Sequence, residues 1–288
     1  MKFSVFTVCM PEYNIPETIK VLKEIGYDGV EWRLATPPPA EKPENYTYEN
    51  RFWSYNFSTL DLGKIEADAM GIMSICDAAG LEICSIATYL GLWDTDELEK
   101  VCKSAKIMNC RNIRVFAPRF DQKVNYRNQF DKAVEQLKNV EKIAKKYDIR
   151  ILFELHMEYI IPSASAAYRF ISGCDPRHMG IIFDPGNMVH EGFENYKLGV
   201  ELLGEYLAHI HIKNGAWKLS GISEEGAEIW KPTWVPIKKG FANFMELIQV
   251  LKHVNYSGYL SVEDFSTEKD TYSTLKENLE YLKQITAV

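Results

Sequence analysis

Residues 180–187 read GIIFDPGN, a short apolar run that ends at an aspartate followed by a turn. The run is too short for a helix and is bounded by glycine and proline, so it predicts a buried strand. The stretch Ile151–His156 reads ILFELH and has the same design, with Glu154 and His156 where the apolar run ends. Each stretch therefore predicts a strand that delivers polar side chains at its carboxyl end.

Similar runs recur along the chain and alternate with longer segments whose apolar residues are spaced three or four apart. The predicted strands are Phe3–Cys9, Gly29–Arg33, Glu82–Thr88, Asn112–Ala117, Arg150–Leu155, Gly180–Phe183, Ala208–Ile212 and Tyr259–Glu263. The predicted helices are Pro16–Ile25, Leu62–Ala79, Asp96–Met108, Gln129–Tyr147, Ser165–Ser172, Tyr196–Gly204, Phe241–His253 and Ser273–Gln284. Strand–helix alternation implies parallel pairing, and eight such units predict an α/β protein that is a single (β/α)8 TIM barrel.

No low-complexity segment divides the chain, so we expect one domain over residues 1–288, with long loops at about 34–61 and 214–240. Both loops follow the carboxyl ends of strands, where barrel enzymes place segments that cover the substrate. An open, doubly wound sheet is the alternative. The first strand lacks the glycine-rich turn that binds a dinucleotide, which weighs against that alternative.

The chain carries 33 basic and 40 acidic residues, a formal charge of −7. This balance argues against nucleic acid as a partner, because phosphate binding needs a basic stripe. No apolar stretch approaches the ~20 residues that cross a bilayer, and no signal peptide is evident, so no membrane partner is expected. The six cysteines form no Cys-x-x-Cys pair, which predicts reduced thiols in a cytoplasmic protein. The sequence leaves a homo-oligomer open.

Polar residues at the carboxyl ends of four successive predicted strands are the candidates for chemistry. They are Glu154, Asp184, His211 and Glu263. Three carboxylates and one imidazole form an oxygen-rich set that suits Mn²⁺ or Mg²⁺. The alternative is structural, with internal salt bridges to Lys213, Arg33 or His209 satisfying the same groups.

Other side chains have less specific interpretations. Glu31 and Arg33 share a face of the second strand, and either pair with each other or contact a substrate. Aromatic residues of the two long loops suit either stacking on a sugar or plain packing; they are Trp53, Tyr55, Trp217, Trp230 and Trp234. The remaining histidines are interpreted as surface or capping groups; they are His178, His190 and His253.

The ordered set of motifs resembles the xylose isomerase-like barrel superfamily, which includes sugar epimerases, hydroxypyruvate isomerase, inosose dehydratase and endonuclease IV. The motifs are GYDGVE at 26–31, Glu154-x-His156, FDPGN at 183–187, HIHIK at 209–213 and GYLSVE at 258–263. The resemblance implies one divalent ion held by Glu154, Asp184, His211 and Glu263. Mn²⁺ is favoured, with Mg²⁺, Co²⁺ or Zn²⁺ as alternatives.

The resemblance also implies an isomerase or epimerase that acts on a small sugar or polyol-derived substrate through an enediolate. Glu154 and Glu263 would then be the catalytic residues that move the proton. The alternative is a lyase of the inosose dehydratase type on the same metal site. Asn187 and Trp217 stand where ketose epimerases commonly carry His and Arg. Asn187 and the His-x-Lys pattern at 211–213 resemble instead the broad branch that contains inosose dehydratase-like proteins and other sugar isomerases. The candidates for substrate contact are His156, Asn187, His209, Lys213, Glu31, Arg33 and Trp217.

Overall fold

The computed structural model describes all 288 residues. The strands are β1 (Lys2–Phe6), β2 (Gly29–Ala35), β3 (Thr59–Asp61), β4 (Glu82–Gly91), β5 (Asn112–Phe116), β6 (Arg150–Glu154), β7 (Met179–Phe183), β8 (Leu207–Ile212), β9 (Asn214–Ile222), β10 (Glu228–Val235) and β11 (Tyr259–Val262). The helices are α1 (Ile15–Ile25), α2 (Arg51–Ser54), α3 (Ile65–Ala79), α4 (Thr95–Ile107), α5 (Tyr126–Tyr147), α6 (Ala164–Ile171), α7 (Pro185–His190), α8 (Tyr196–Leu203), α9 (Phe244–His253) and α10 (Thr271–Ala287). None of these helices combines the length and apolar character needed to cross a membrane.

Eight parallel strands close into a barrel in the order β1, β2, β4, β5, β6, β7, β8 and β11, and β11 pairs back to β1. This closed sheet with its surrounding helices confirms the predicted (β/α)8 TIM barrel. The predicted first strand was too long, because β1 ends at Phe6 and Thr7–Cys9 form a 3₁₀ turn. The hydroxyl of Thr7 bonds to the backbone of Ser58 and Arg33, and this draws the chain out of the sheet.

The segment predicted as a loop at 34–61 contains regular structure. Its helix α2 is followed by β3, which pairs with the last residues of β2 from Arg33–Thr59 to Ala35–Asp61. The end of β2 is therefore longer than predicted, because an added strand supplies hydrogen-bond partners beyond the barrel rim.

The segment predicted as a loop at 214–240 is mostly a β-hairpin made by β9 and β10. The side chain of Asn214 holds the start of this hairpin in place. Its Nδ2 donates to the carbonyl oxygens of Ile237 and Ala242 at 2.7 and 3.1 Å. Its Oδ1 accepts from the backbone N–H groups of Gly215 and Ala242, both at 2.9 Å. One buried amide thus fixes where the hairpin leaves the barrel.

Polar and apolar side chains alternate along β8, and this alternation shows how the strands position polar groups. His209 and His211 point into the barrel, whereas Ile210 and Ile212 belong to the apolar layer between sheet and helices. All four side chains are buried. Since every barrel strand runs in the same direction, the inward residues at the strand ends meet at one rim.

Candidate metal centre

The four predicted ligands meet at the carboxyl ends of their strands. Their ligand atoms all lie within 4.8 Å of one another, and all four residues are buried. Nδ1 of His211 lies 3.2 Å from Oε1 of Glu154, 3.3 Å from Oδ2 of Asp184 and 3.4 Å from Oε2 of Glu263. Three carboxylate oxygens and one imidazole nitrogen that converge in this way have the chemistry of a divalent-cation site.

The two carboxylate oxygens of Asp184 have different roles: one caps a helix and the other faces the candidate metal centre. Its Oδ1 accepts from the backbone N–H of Asn187 at 2.8 Å, which caps the first turn of α7. Its Oδ2 is left facing His211. Gly186 allows the turn to lie against β8, since a Cβ atom there would stand 2.5 Å from the carbonyl oxygen of Lys213. The motif FDPGN therefore serves to aim one carboxylate oxygen.

Glu154 is held at both oxygens. Its Oε2 accepts from Nη1 of Arg114 at 2.8 Å, and its Oε1 accepts from Nδ2 of Asn187 at 2.9 Å. Burial alone would raise the pKa of Glu154, but the positive charges of Arg114, His211 and Lys213 outweigh it and hold that pKa well below its ordinary value. Glu154 is thus an ionised carboxylate with little freedom to move.

Glu31 lies beneath His211 and does not pair with Arg33, so the predicted pairing was wrong. Its Oε2 lies 2.9 Å from Nε2 of His209 and accepts from Oγ of Ser261 at 2.7 Å. Nε2 of His211 is 3.2 Å from the same oxygen. A carboxylate that accepts the Nε2 proton fixes the tautomer and leaves Nδ1 directed at the other three ligands.

Glu31, His209 and His211 also form a second group with metal-ligand spacing. The hydrogen bonds just described satisfy this group within the protein. Burial would raise the pKa of Glu31, but the neighbouring charges of His211 and His209 outweigh it and hold that pKa well below its ordinary value. We therefore interpret Glu31 and His209 as support for His211 rather than as substrate contacts.

Lys213 enters the centre from the end of β8. Its Nζ lies 2.5 Å from Oε2 of Glu263, 2.7 Å from Oδ2 of Asp184 and 3.6 Å from Oε1 of Glu154. The side chain is buried. The salt bridges that were the structural alternative at Lys213 are therefore present together with the metal-ligand geometry.

Three other candidates for substrate contact lie outside the ligand cluster. Arg33 donates to the hydroxyl of Tyr89 on β4 and to that of Thr59 on β3, and the bond to Thr59 attaches β2 to the inserted segment. His156 is half-buried, and its ring packs against Phe116 and Tyr159 at centroid distances of 5.8 and 4.8 Å. The indole of Trp217 donates to the carbonyl oxygen of Val189 at 2.8 Å, which holds it against α7.

An aromatic-walled cavity of about 410 Å³ adjoins the centre. It is lined by residues that include Trp53, His190, Trp234 and Phe265, together with Glu49, Lys218 and Glu268. The rings of Trp53 and Phe265 are 4.7 Å apart, and His190 stacks on Trp234 at 4.0 Å. Nζ of Lys213 lies 5.1 Å from the ring centre of Trp234, which connects the cavity to the ligands.

Of the two interpretations given for His190, the surface one was wrong, because the side chain is half-buried in this wall; the residue stands in the last turn of α7. Sequence reasoning also missed Arg114 and Phe265. An arginine in the middle of the apolar strand β5 was a usable signal, since a buried charge needs a partner. Phe265 follows the last strand and carries no comparable mark.

A family model described as "Xylose isomerase-like TIM barrel" matches residues 19–285. The chain belongs to this family. Among named relatives, it is 28% identical to an inosose dehydratase of Mesomycoplasma hyopneumoniae over 154 residues. That alignment covers 51% of each protein, so the chain spans about half the length of the relative it matches.

Solved structures share the fold of this family member at low sequence identity. The 3-keto-D-glucoside 4-epimerase YcjR from E. coli superposes with a TM-score of 0.72 at 18% identity, covering 99% of both chains. The IOLI protein with a binding zinc atom superposes with a TM-score of 0.74 at 14% identity, covering 100% of this chain and 98% of that one. These likenesses establish the architecture.

Proposed function

We propose that this chain is a metal-dependent enzyme that isomerises or epimerises a small sugar or keto-sugar by proton transfer beside a carbonyl. The observation that carries the proposal is the convergence of the ligand atoms of Glu154, Asp184, His211 and Glu263 within 4.8 Å of one another, near an aromatic-walled cavity. A divalent ion held there would polarise a substrate carbonyl and acidify the adjacent C–H bond. We favour Mn²⁺, with Mg²⁺, Co²⁺ and Zn²⁺ as alternatives.

Glu263 is better suited than Glu154 to remove the proton. Only its Oε2 is engaged, by His211 and Lys213, and Oε1 makes no hydrogen bond within the chain. Both oxygens of Glu154 are occupied by donors. We therefore propose that Glu263 transfers the proton and that Glu154 chiefly binds the ion and balances its charge. The resemblance implied that both glutamates transfer protons, and this proposal keeps only Glu263 in that role.

The cavity supports an uncharged, polyhydroxylated ring as the substrate. The rings of Trp53, Trp234 and Phe265 present apolar faces, on which the C–H face of a sugar or cyclitol stacks. Its lining has one lysine, Lys218, against two acidic residues, and a phosphate group needs several convergent basic donors. We accordingly propose that the substrate is unphosphorylated.

A dehydratase on the same centre is the second candidate, and the inosose dehydratase relatives favour it. An enediolate with a leaving hydroxyl β to the carbonyl eliminates water when elimination outpaces reprotonation. We further propose a single-domain, cytoplasmic protein, which the six free cysteines support.

The two reactions are separated by incubating Mn²⁺-treated protein with inososes, ketoses and 3-keto-glucosides and analysing the products by mass spectrometry. A product of unchanged mass and altered retention supports the isomerase, and loss of one water supports the dehydratase. Turnover that continues after the metal is removed with a chelator, and that does not change when a divalent ion is added back, would contradict both reactions.

A further inference from the structure

The ammonium group of Lys213 occupies the position at which the ligand oxygens converge. Its contacts of 2.5 and 2.7 Å go to the same atoms, Oε2 of Glu263 and Oδ2 of Asp184, that face His211. It also lies 3.6 Å from Oε1 of Glu154. Lys213 therefore contacts the ligand atom of every carboxylate in the set.

A divalent ion and an ammonium group cannot share these oxygens at such distances. Both would occupy the space between the same carboxylate oxygens, and two positive charges a few ångströms apart in a buried site repel strongly. Conversely, three buried carboxylates without a cation would repel one another, so some positive charge is needed among them at all times.

We propose that Lys213 is an internal counter-cation that holds the ligand set together before metal binds and is displaced toward Trp234 and Phe265 when the ion enters. The inference rests on the proposed metal site. It makes Lys213 a positioning residue that sets how tightly the ion binds.

The structure provides a destination for the displaced group. Nζ already lies 5.1 Å from the ring centre of Trp234 and 5.6 Å from that of Phe265, and aromatic faces attract cations at this range. The backbone of Lys213 is fixed by its close packing on Gly186. Displacement therefore requires only rotation of the flexible side chain, which would carry its charge to the cavity wall.

The first test is calorimetric titration of Mn²⁺ into chelator-treated full-length protein and its Lys213→Met variant. Removal of the competing charge should lower the Kd for Mn²⁺ by about tenfold or more. The metal-free variant should also unfold at a lower temperature and gain more from Mn²⁺ than the original protein. Lys218→Met is the matched control, since Lys218 lines the cavity without a contact to the ligands, and its Kd should not change.

Unchanged or weaker Mn²⁺ binding by Lys213→Met overturns the inference. Lys213→Gln replaces the first variant if that one does not fold, and it carries the same expectation. Failure of both the original protein and the variants to bind Mn²⁺ would overturn the proposed function as well. Tighter Mn²⁺ binding by Lys213→Met, together with no turnover of sugars by the original protein, would contradict the proposed function alone.

A second measurement follows the displacement itself through tryptophan fluorescence, with Mg²⁺ as the ion because it is not paramagnetic. Mg²⁺ should change the emission spectrum of the original protein as the ammonium nears Trp234. The change should disappear in Lys213→Met and in Trp234→Phe. A change that persists in Lys213→Met would contradict the movement.

Discussion

Glu154 and Glu263 reach the same centre with unequal freedom. Arg114 and Asn187 fix Glu154, whereas one oxygen of Glu263 is free of hydrogen bonds within the chain. A general base needs one oxygen free to accept the proton while the other oxygen holds the side chain in place, and Glu263 has this arrangement. The difference is visible only in the partners, because the two side chains are chemically identical.

Replacing either glutamate by glutamine tests this division. Glu263→Gln should reduce kcat by about 10³-fold, the scale of one general base, and should lower the unfolding temperature less than Glu154→Gln does, because Lys213 keeps Asp184 as a charged partner. Glu154→Gln should reduce kcat as well, and it should also lower the unfolding temperature because it leaves the buried charge of Arg114 without an opposite charge beside it. Steady-state kinetics in Mn²⁺ and thermal unfolding measure both effects.

Glu280→Gln, at an exposed position on α10, is the control, and neither its kcat nor its unfolding temperature should change. Near-normal kcat in Glu263→Gln would contradict its assignment as the base.

Metal affinity should depend on pH through His211. Burial alone would lower the pKa of His211, but the negative charges of Glu31 and Glu154 outweigh it and raise that pKa well above its ordinary value. A raised pKa means that the imidazole keeps its proton in the metal-free protein, and an ion must displace that proton to bind. Mn²⁺ affinity should therefore rise with pH, and binding should release a proton.

Calorimetry of Mn²⁺ binding in buffers of different ionisation enthalpy, between about pH 6 and 8, measures the proton released. Glu31→Gln should weaken the pH dependence because it removes one of the charges that raise the pKa. Affinity independent of pH would show that His211 is already neutral in the metal-free protein.

At the scale of elements, the hairpin of β9 and β10 brings Trp234 from an insertion to the cavity wall. Asn214 attaches this hairpin through four hydrogen bonds to buried backbone groups. Asn214→Ala would leave those groups unpaired and should cost about 3 kcal/mol of unfolding free energy. It should also raise KM more than it lowers kcat, since the ligands lie on other elements.

Denaturant unfolding and steady-state kinetics measure these two effects. Asn214→Asp is the matched variant: it keeps the two acceptor bonds but places a carboxylate oxygen against the carbonyl oxygens of Ile237 and Ala242, so it should lose at least as much stability as Asn214→Ala. Equal KM in all three would mean that the hairpin does not shape the substrate cavity.

The sequence was sufficient to predict the eight barrel strands and the convergence of the four candidate ligands, because period-two alternation places strand-end residues on one rim without knowledge of any contact. It was insufficient for pairings made across the barrel. Glu31 on β2 meets His209 on β8, far apart in sequence, and only closure of the sheet brings them together. Arg33 does not pair with Glu31 because its guanidinium donates to Thr59 instead. Thr59 lies on β3, a strand that the sequence pattern did not predict.

At the scale of the whole molecule, a closed barrel joins its first and last strands, so β1 and β11 stabilise each other. We expect one cooperative unfolding transition, because opening the sheet at any point breaks closure. Mn²⁺ at 100 times its Kd should add about 2.7 kcal/mol to the free energy of unfolding. Urea denaturation followed by far-ultraviolet circular dichroism and by tryptophan fluorescence measures both.

Asp184→Ala should abolish the stabilisation by Mn²⁺ while keeping the single transition. Two separated transitions would contradict the single domain that we propose.

The polar layer made by Glu31, His209 and Ser261 seals the barrel beneath the ligands. An ion bound at the proposed site would then leave only from above, along the path that we propose for the sugar. Occupancy of that path by a slowly turned-over analogue should trap the ion, so that EDTA extracts it more slowly from the ternary complex than from the binary one.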